Sequence, residues 1–150
     1  MAESLRLLII GAHPDDADYA AGGTAALYRA AGHEVKMISM TDGGAGHHIS
    51  PGPEMVKRRR GEAAAAGAVI GATYETLNNS DGGLLPTLET RGQVIRLIRT
   101  IKPDLVLTHR PNDYHPPSCS RCVLCPPADL GHAATPPAYL LPIVVANGEI

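Results

Sequence analysis

Short apolar runs alternate along the chain with longer segments of helical period. Residues 5–10 (LRLLII) form an almost unbroken apolar run, the pattern of a strand buried on both faces, and Gly11 closes it. From residue 17 to 31, Ala17, Ala20, Ala21, Thr24, Leu27 and Ala31 recur at helical spacing, and Gly32 stands where a C-terminal cap belongs. Residues 34–41 predict a second strand, with Val35, Met37 and Met40 as its apolar side chains. A second helix is expected over 54–70, carrying Glu54–Arg58 and Arg58–Glu62 pairs four residues apart and stopped by Gly71. Residues 73–77 predict a third strand. A third helix follows over 88–102, with Leu88, Val94, Ile95, Ile98 and Ile101 on its buried side and Pro103 as its stop. The fourth strand is DLVLTH, 104–109. Strand–helix alternation of this kind implies right-handed βαβ crossovers and a doubly wound, mostly parallel α/β sheet with helices on both faces. In such a sheet the first and fourth strands are commonly neighbours at the topological switch point, and ligands bind beyond their carboxyl ends. The loops after Ile10 and Thr108 are thereby singled out before any motif is read.

Composition narrows the function classes. At 150 residues the chain has the length of one domain, and its 44% hydrophobic and 19% charged residues are ordinary for a globular protein. A formal net charge of -2 offers no field that would attract nucleic acid or an acidic membrane. With aromatics at 3% and no Trp or Phe, there is no stacking platform for single strands. No apolar run approaches the ~20 residues of a membrane span, and the opening residues Met1-Ala2-Glu3-Ser4 lack a basic secretory start. The expectation is a single-domain cytoplasmic protein without nucleic-acid or membrane partners, its homo-oligomeric state open.

The loop after the first strand reads Gly11-Ala12-His13-Pro14-Asp15-Asp16-Ala17-Asp18. Pro14 suits a first helical position, and carboxylates at 15 and 16 favour a helix start. That structural reading leaves His13 unexplained. The alternative is chemical: His13 and Asp16 are three apart and can converge on one point, and imidazole plus carboxylate is an ordinary zinc ligand set. Asp15 would then point elsewhere, able to take a proton from water. A dinucleotide site is disfavoured, because G-x-G-x-x-G is missing and paired carboxylates would repel a pyrophosphate.

His13-Pro14-Asp15-Asp16, with Ala21-Gly22-Gly23-Thr24 behind it, resembles the PIG-L (LmbE-like) family of zinc-dependent N-acetylglucosaminyl deacetylases. The agreement continues through residues 41–48 (TDGGAGHH), the helix segment 58–62 (RRRGE), residues 79–82 (NSDG) and 109–116 (HRPNDYHP), covering about 5–116 in order. The resemblance implies a Rossmann-like fold and a hydrolase that removes acetate from a small N-acetylated sugar or conjugate with Zn2+, or Fe2+, as cofactor. It further implies His13 and Asp16 as metal ligands and Asp15 as general base. His115 would steady the oxyanion and protonate the leaving amine. Arg59 and Asp81 would bind the sugar, although the residue pattern alone favours Asp81 as a turn-former in Ser80-Asp81-Gly82-Gly83.

The chain departs from the family after residue 116. Where the family runs His-Pro-Asp-His, this sequence reads His115-Pro116-Pro117-Ser118, so Ser118 stands at the third ligand position. Eight of the 13 prolines and all three cysteines follow residue 110. His115, His132 or a nearby Cys is one source of a third ligand. A second reading is a family member that binds metal or sugar without turnover. A third, favoured on the abrupt change of composition, is that 117–150 is an atypical tail on a C-terminally truncated domain. Cys119, Cys122 and Cys125 have metal-ligand spacing without a clear fourth partner. The turn 43–46 reads as a tight glycine turn, and the adjacent His47 and His48 are expected to point apart.

Overall fold

The computed structural model describes residues 4–109 and 143–144. Its elements are β1 (Arg6–Gly11), α1 (Asp16–Ala30), β2 (Glu34–Thr41), α2 (Pro53–Val69), β3 (Thr73–Asn79), α3 (Leu88–Ile101), β4 (Leu105–Thr108) and β5 (Ile143–Val144). They form one sheet in the order β3-β2-β1-β4-β5. The first four strands are parallel and β5 runs antiparallel on the edge beside β4. The expected doubly wound α/β architecture is therefore present, with β1 and β4 adjacent at the switch point.

Alternation along β1 explains why its sequence is apolar throughout. Leu7 and Ile9 face α1 and pack with Val35, Met37, Leu107, Ala17, Ala21 and Ala25. Leu8 and Ile10 face the other way, against Ile38, Met40, Val106 and Val94 of α3. Both layers exclude water, and all four β1 side chains are at most 1% exposed. Small residues on α1 allow that helix to lie close to the sheet. Its buried stripe is Ala17, Ala21 and Ala25, while Leu27 is 73% exposed, so the stripe runs at i, i+4, i+8 and not through Thr24 and Leu27.

On α3 the expected buried side is half right. Val94 is buried, and Ile98 and Ile101 pack on the second layer, but Leu88 is 85% and Ile95 45% exposed. Leu88 is the first residue of the helix, outside the stripe that meets the sheet. That end is fixed by a capping box in which the Thr87 hydroxyl accepts the Thr90 N–H at 3.2 Å. α2 meets the sheet through Gly67, where a Cβ would lie 2.9 Å from the Ala72 carbonyl oxygen and 3.0 Å from Tyr74 Cβ. No helix among the described residues is long and apolar enough to cross a membrane.

Candidate functional site

The carboxyl ends of β1, β2, β3 and β4 gather the chemistry-bearing residues. β1 ends at Gly11, where a Cβ would lie 2.6 Å from Asp16 Cβ, so the close return of the chain requires glycine. The His13 carbonyl then accepts the Asp15 and Asp16 amides at 2.9 and 3.2 Å, closing a tight turn. From β2, Thr41 anchors that turn twice: its N–H and its hydroxyl donate to the Ala12 carbonyl at 2.9 and 2.7 Å. α1 begins only at Asp16, with Asp15 as its N-cap. Pro14 thus precedes the helix instead of opening it, and His13 and Asp16 converge through the turn and not through helical spacing.

Asp16 is held by donors on one oxygen. Its Oδ2 accepts the Ala12 and His13 amides at 2.8 Å each, and His109 Nε2 lies 3.0 Å away, just past β4. An ionised carboxylate only accepts, so the imidazole is the donor in that contact. Burial drives the Asp16 pKa up, but the hydrogen bonds from His109 and His13 outweigh it and hold the carboxyl well below the usual carboxylate range. His13 stands between carboxylates, with Nδ1 3.5 Å from Asp16 Oδ2 and Nε2 3.2 Å from Asp81 Oδ1. The hydrogen bond to Asp16 raises the His13 pKa against the opposing effect of burial, and the charges of Asp16, Asp81 and Asp15 add to it. This pocket stabilises positive charge.

Asp15 turns the other way and is 54% exposed at its side chain. Its Oδ2 meets Arg59 Nη2 of α2 at 2.6 Å, and Arg59 Nη1 reaches Glu62 at 3.4 Å. Burial works to lower the Arg59 pKa, yet hydrogen bonding and charge from Asp15, then Glu62, raise it. The arginine expected to grip a sugar therefore holds the neighbouring carboxylate. Asp81 likewise uses both oxygens within the protein, Oδ1 toward His13 and Oδ2 accepting the Ala45 amide at 3.2 Å. The glycine turn behaves as a turn: Gly43 has φ +70°, and a Cβ there would lie 3.0 Å from Pro14. His47 and His48 do not point apart; their rings stack with centroids 5.2 Å apart, and His47 Nδ1 accepts the Ile49 and Ser50 amides. The loop is curled here, which removes the alternation that an extended segment would impose.

The His13 imidazole and the Asp16 carboxylate stand close enough to share one ion, with Nδ1 3.5 Å from Oδ2. A pocket that favours charge on His13 also suits a cation in place of the proton. The described residues supply two such donors: among them there is no group of three His, Cys, Asp or Glu able to hold a metal. His115, Ser118, Cys119, Cys122, Cys125 and His132 lie outside the described residues.

Five expected residues, His13, Asp15, Asp16, Arg59 and Asp81, therefore meet in one chain of contacts. His109 joins them without having been singled out. The signal was present, because the end of the fourth strand beside the first is where the fold directs ligand-facing residues.

A doubly wound α/β sheet with an imidazole–carboxylate cluster at its switch point defines the class. Within it, the chain belongs to the PIG-L family, whose model, described as GlcNAc-PI de-N-acetylase, matches residues 8–117. It is 29% identical to a mycothiol S-conjugate amidase of Streptomyces coelicolor, over 77% of this chain and 48% of that protein. It is 27% identical to a 1D-myo-inositol 2-acetamido-2-deoxy-alpha-D-glucopyranoside deacetylase of Thermobispora bispora, over 71% of this chain and 45% of that one. Among solved structures, N,N'-diacetylchitobiose deacetylase from Pyrococcus horikoshii superposes with a TM-score of 0.73 at 28% identity, covering 80% of this chain and 47% of that one. The chain spans about half the length of the curated relatives it matches.

Proposed function

We propose that this chain carries the metal- and base-bearing site of a metal-dependent N-deacetylase acting on an N-acetylglucosamine-type sugar or conjugate. The observation that carries this is the convergence of His13 and Asp16 beside an outward-facing Asp15. His13 and Asp16 would hold Zn2+, or Fe2+. The chemistry such a cation supplies is Lewis-acid polarisation of the amide carbonyl and acidification of water. Asp15 takes the proton of the attacking water, and Arg59 holds that carboxylate through a 2.6 Å contact with its Oδ2. His115 is assigned, from the family resemblance, to steady the oxyanion and give a proton to the departing nitrogen. Water adds to the carbonyl carbon, the C–N bond breaks, and acetate and a free amine leave. Family membership and relatives named as an amidase and deacetylases support the reaction class.

The test is release of amine from an N-acetylglucosamine conjugate by protein loaded with zinc. Asp15→Asn is expected to retain zinc and lose turnover by at least 100-fold, the scale of a general base. Normal turnover by that variant refutes the assignment of the base. Ser118 at the third ligand position favours a second reading, a family member that binds metal or sugar without turnover. Stoichiometric zinc with no amine release selects it.

A further inference from the structure

We infer that His109 is a positioning residue that aims the Asp16 carboxylate, an inference that rests on the reading of Asp16 as a metal ligand. Three hydrogen-bond donors lie within 3.0 Å of Asp16 Oδ2: the Ala12 amide and the His13 amide, at 2.8 Å each, and the His109 ring nitrogen at 3.0 Å, with the His13 imidazole farther off at 3.5 Å. The two amides belong to the turn that follows β1. Only His109 reaches in from another strand, since it directly follows β4. Its Nε2 is also 3.2 Å from the Ala12 nitrogen. Because Nε2 gives its hydrogen to the carboxylate, the Ala12 N–H is spent on Asp16 at the shorter distance, and the three groups form one closed arrangement.

The two amides oppose rotation of the carboxylate about its Cβ–Cγ bond, and a third donor, from β4, strengthens that restraint from the far side of the turn. With Oδ2 saturated, Oδ1 is the oxygen of Asp16 that has no protein donor among the described residues. Parallel pairing of Ile10 with Thr108 fixes how far His109 stands from the turn. The imidazole is half-buried, with 16% of its side chain exposed, so solvent competes little for the bond. Outer-shell partners of this kind are typically worth about 10–100-fold in metal affinity.

The experiment is competition titration of Zn2+ against a chromophoric chelator, on the full chain and on His109→Ala, His109→Gln, His109→Asn and Asp16→Ala. The glutamine amide nitrogen occupies the place of Nε2, whereas the asparagine amide stops short at the place of Nδ1. Zinc affinity is expected to fall about 10–100-fold in the alanine and asparagine variants and to recover in the glutamine variant. Unchanged affinity in His109→Ala, or equal losses in the glutamine and asparagine variants, overturns the positioning role. Should His109→Ala not fold, as judged by circular dichroism, the glutamine–asparagine pair decides alone. Loss of the site in Asp16→Ala with full affinity in every His109 variant overturns this inference and leaves the proposed function standing. Full affinity in Asp16→Ala, or no zinc uptake by the unaltered chain, overturns both.

Discussion

Replacing Gly11 with alanine places a methyl group in space that the start of α1 occupies. A Cβ at position 11 lies 2.6 Å from Asp16 Cβ, 3.3 Å from the Ala17 nitrogen and 3.5 Å from Asp16 Oδ2. Non-bonded carbons rest about 3.5–4.0 Å apart, so the first contact is about 1 Å too short. Neither Asp16 Cβ nor a backbone nitrogen is the far end of a flexible side chain, and the first turn of α1 must retreat from β1. Overpacking of this kind costs about 1–3 kcal/mol. Retreat also lengthens the two amide bonds to Oδ2, and hydrogen bonds to a charged acceptor contribute about 1.5–3 kcal/mol each. The two costs trade against each other as the turn relaxes, giving about 3 kcal/mol in all. Urea unfolding is expected to show a lower midpoint with unchanged slope. Zinc affinity is expected to fall as well, since Asp16 moves relative to His13. Gly23→Ala is the control: nothing lies within 4 Å of a Cβ there, inside α1, and the variant should gain about 0.5–1 kcal/mol. A Gly11→Ala variant that unfolds at the wild-type midpoint refutes the packing argument. Lost stability with intact zinc affinity refutes the link from the turn to the ligands.

Asp81→Asn keeps the shape facing His13 Nε2 and removes its charge, so zinc affinity should drop about tenfold with little change in the unfolding midpoint; unchanged affinity shows that Asp81 does not orient His13. Val94→Ala should cost about 2 kcal/mol in urea unfolding, two buried carbons plus the space they leave, whereas Leu88→Ala, at an 85% exposed position, should stay within about 0.5 kcal/mol. Equal losses in those two variants refute the orientation of α3. Thr87→Ala removes the hydroxyl of the α3 capping box and should cost about 1 kcal/mol by the same measurement.

The fold was legible because its physics is periodic. A strand covered on both faces must be apolar at every position, and residues 5–10 are so except for Arg6, which lies at the amino-terminal end where Asp104 meets it. Glycines at 32 and 71 have φ of +87° and +70°, conformations in which a side chain is strained, so they marked the ends of α1 and α2. Misjudged positions share a cause. Leu27, Leu88 and Ile95 are apolar side chains on helices that contact the sheet along a narrow stripe, and hydrophobicity alone does not say which apolar residue that stripe uses. On α1 the stripe follows the alanines, because close approach to β1 and β2 selects for small size over hydrophobicity.

The site was legible only where sequence neighbours make it. His13, Asp15 and Asp16 lie within one turn, so their opposing directions follow from local geometry, even though the helix begins later than Pro14 suggests. Partners from other strands carry no such signature. Asp81 is 68 positions from His13, and His109 is 93 from Asp16; each meets its partner because parallel pairing brings the carboxyl ends of β1, β3 and β4 to one edge. Arg59 shows the same limit from another direction. In the sequence it is one cation of a basic run with Glu62 three residues on, and the run's commonest fate is a solvated helix face. The packing of Gly43 against Pro14 and the Arg59 Cβ brings α2 against the turn and puts the guanidinium within 2.6 Å of Asp15. The proposed ligand pair lies within one turn, but the groups that contact it come from other strands, so variants at His109 and Asp81 test the fold's contribution to the site separately from that of the turn.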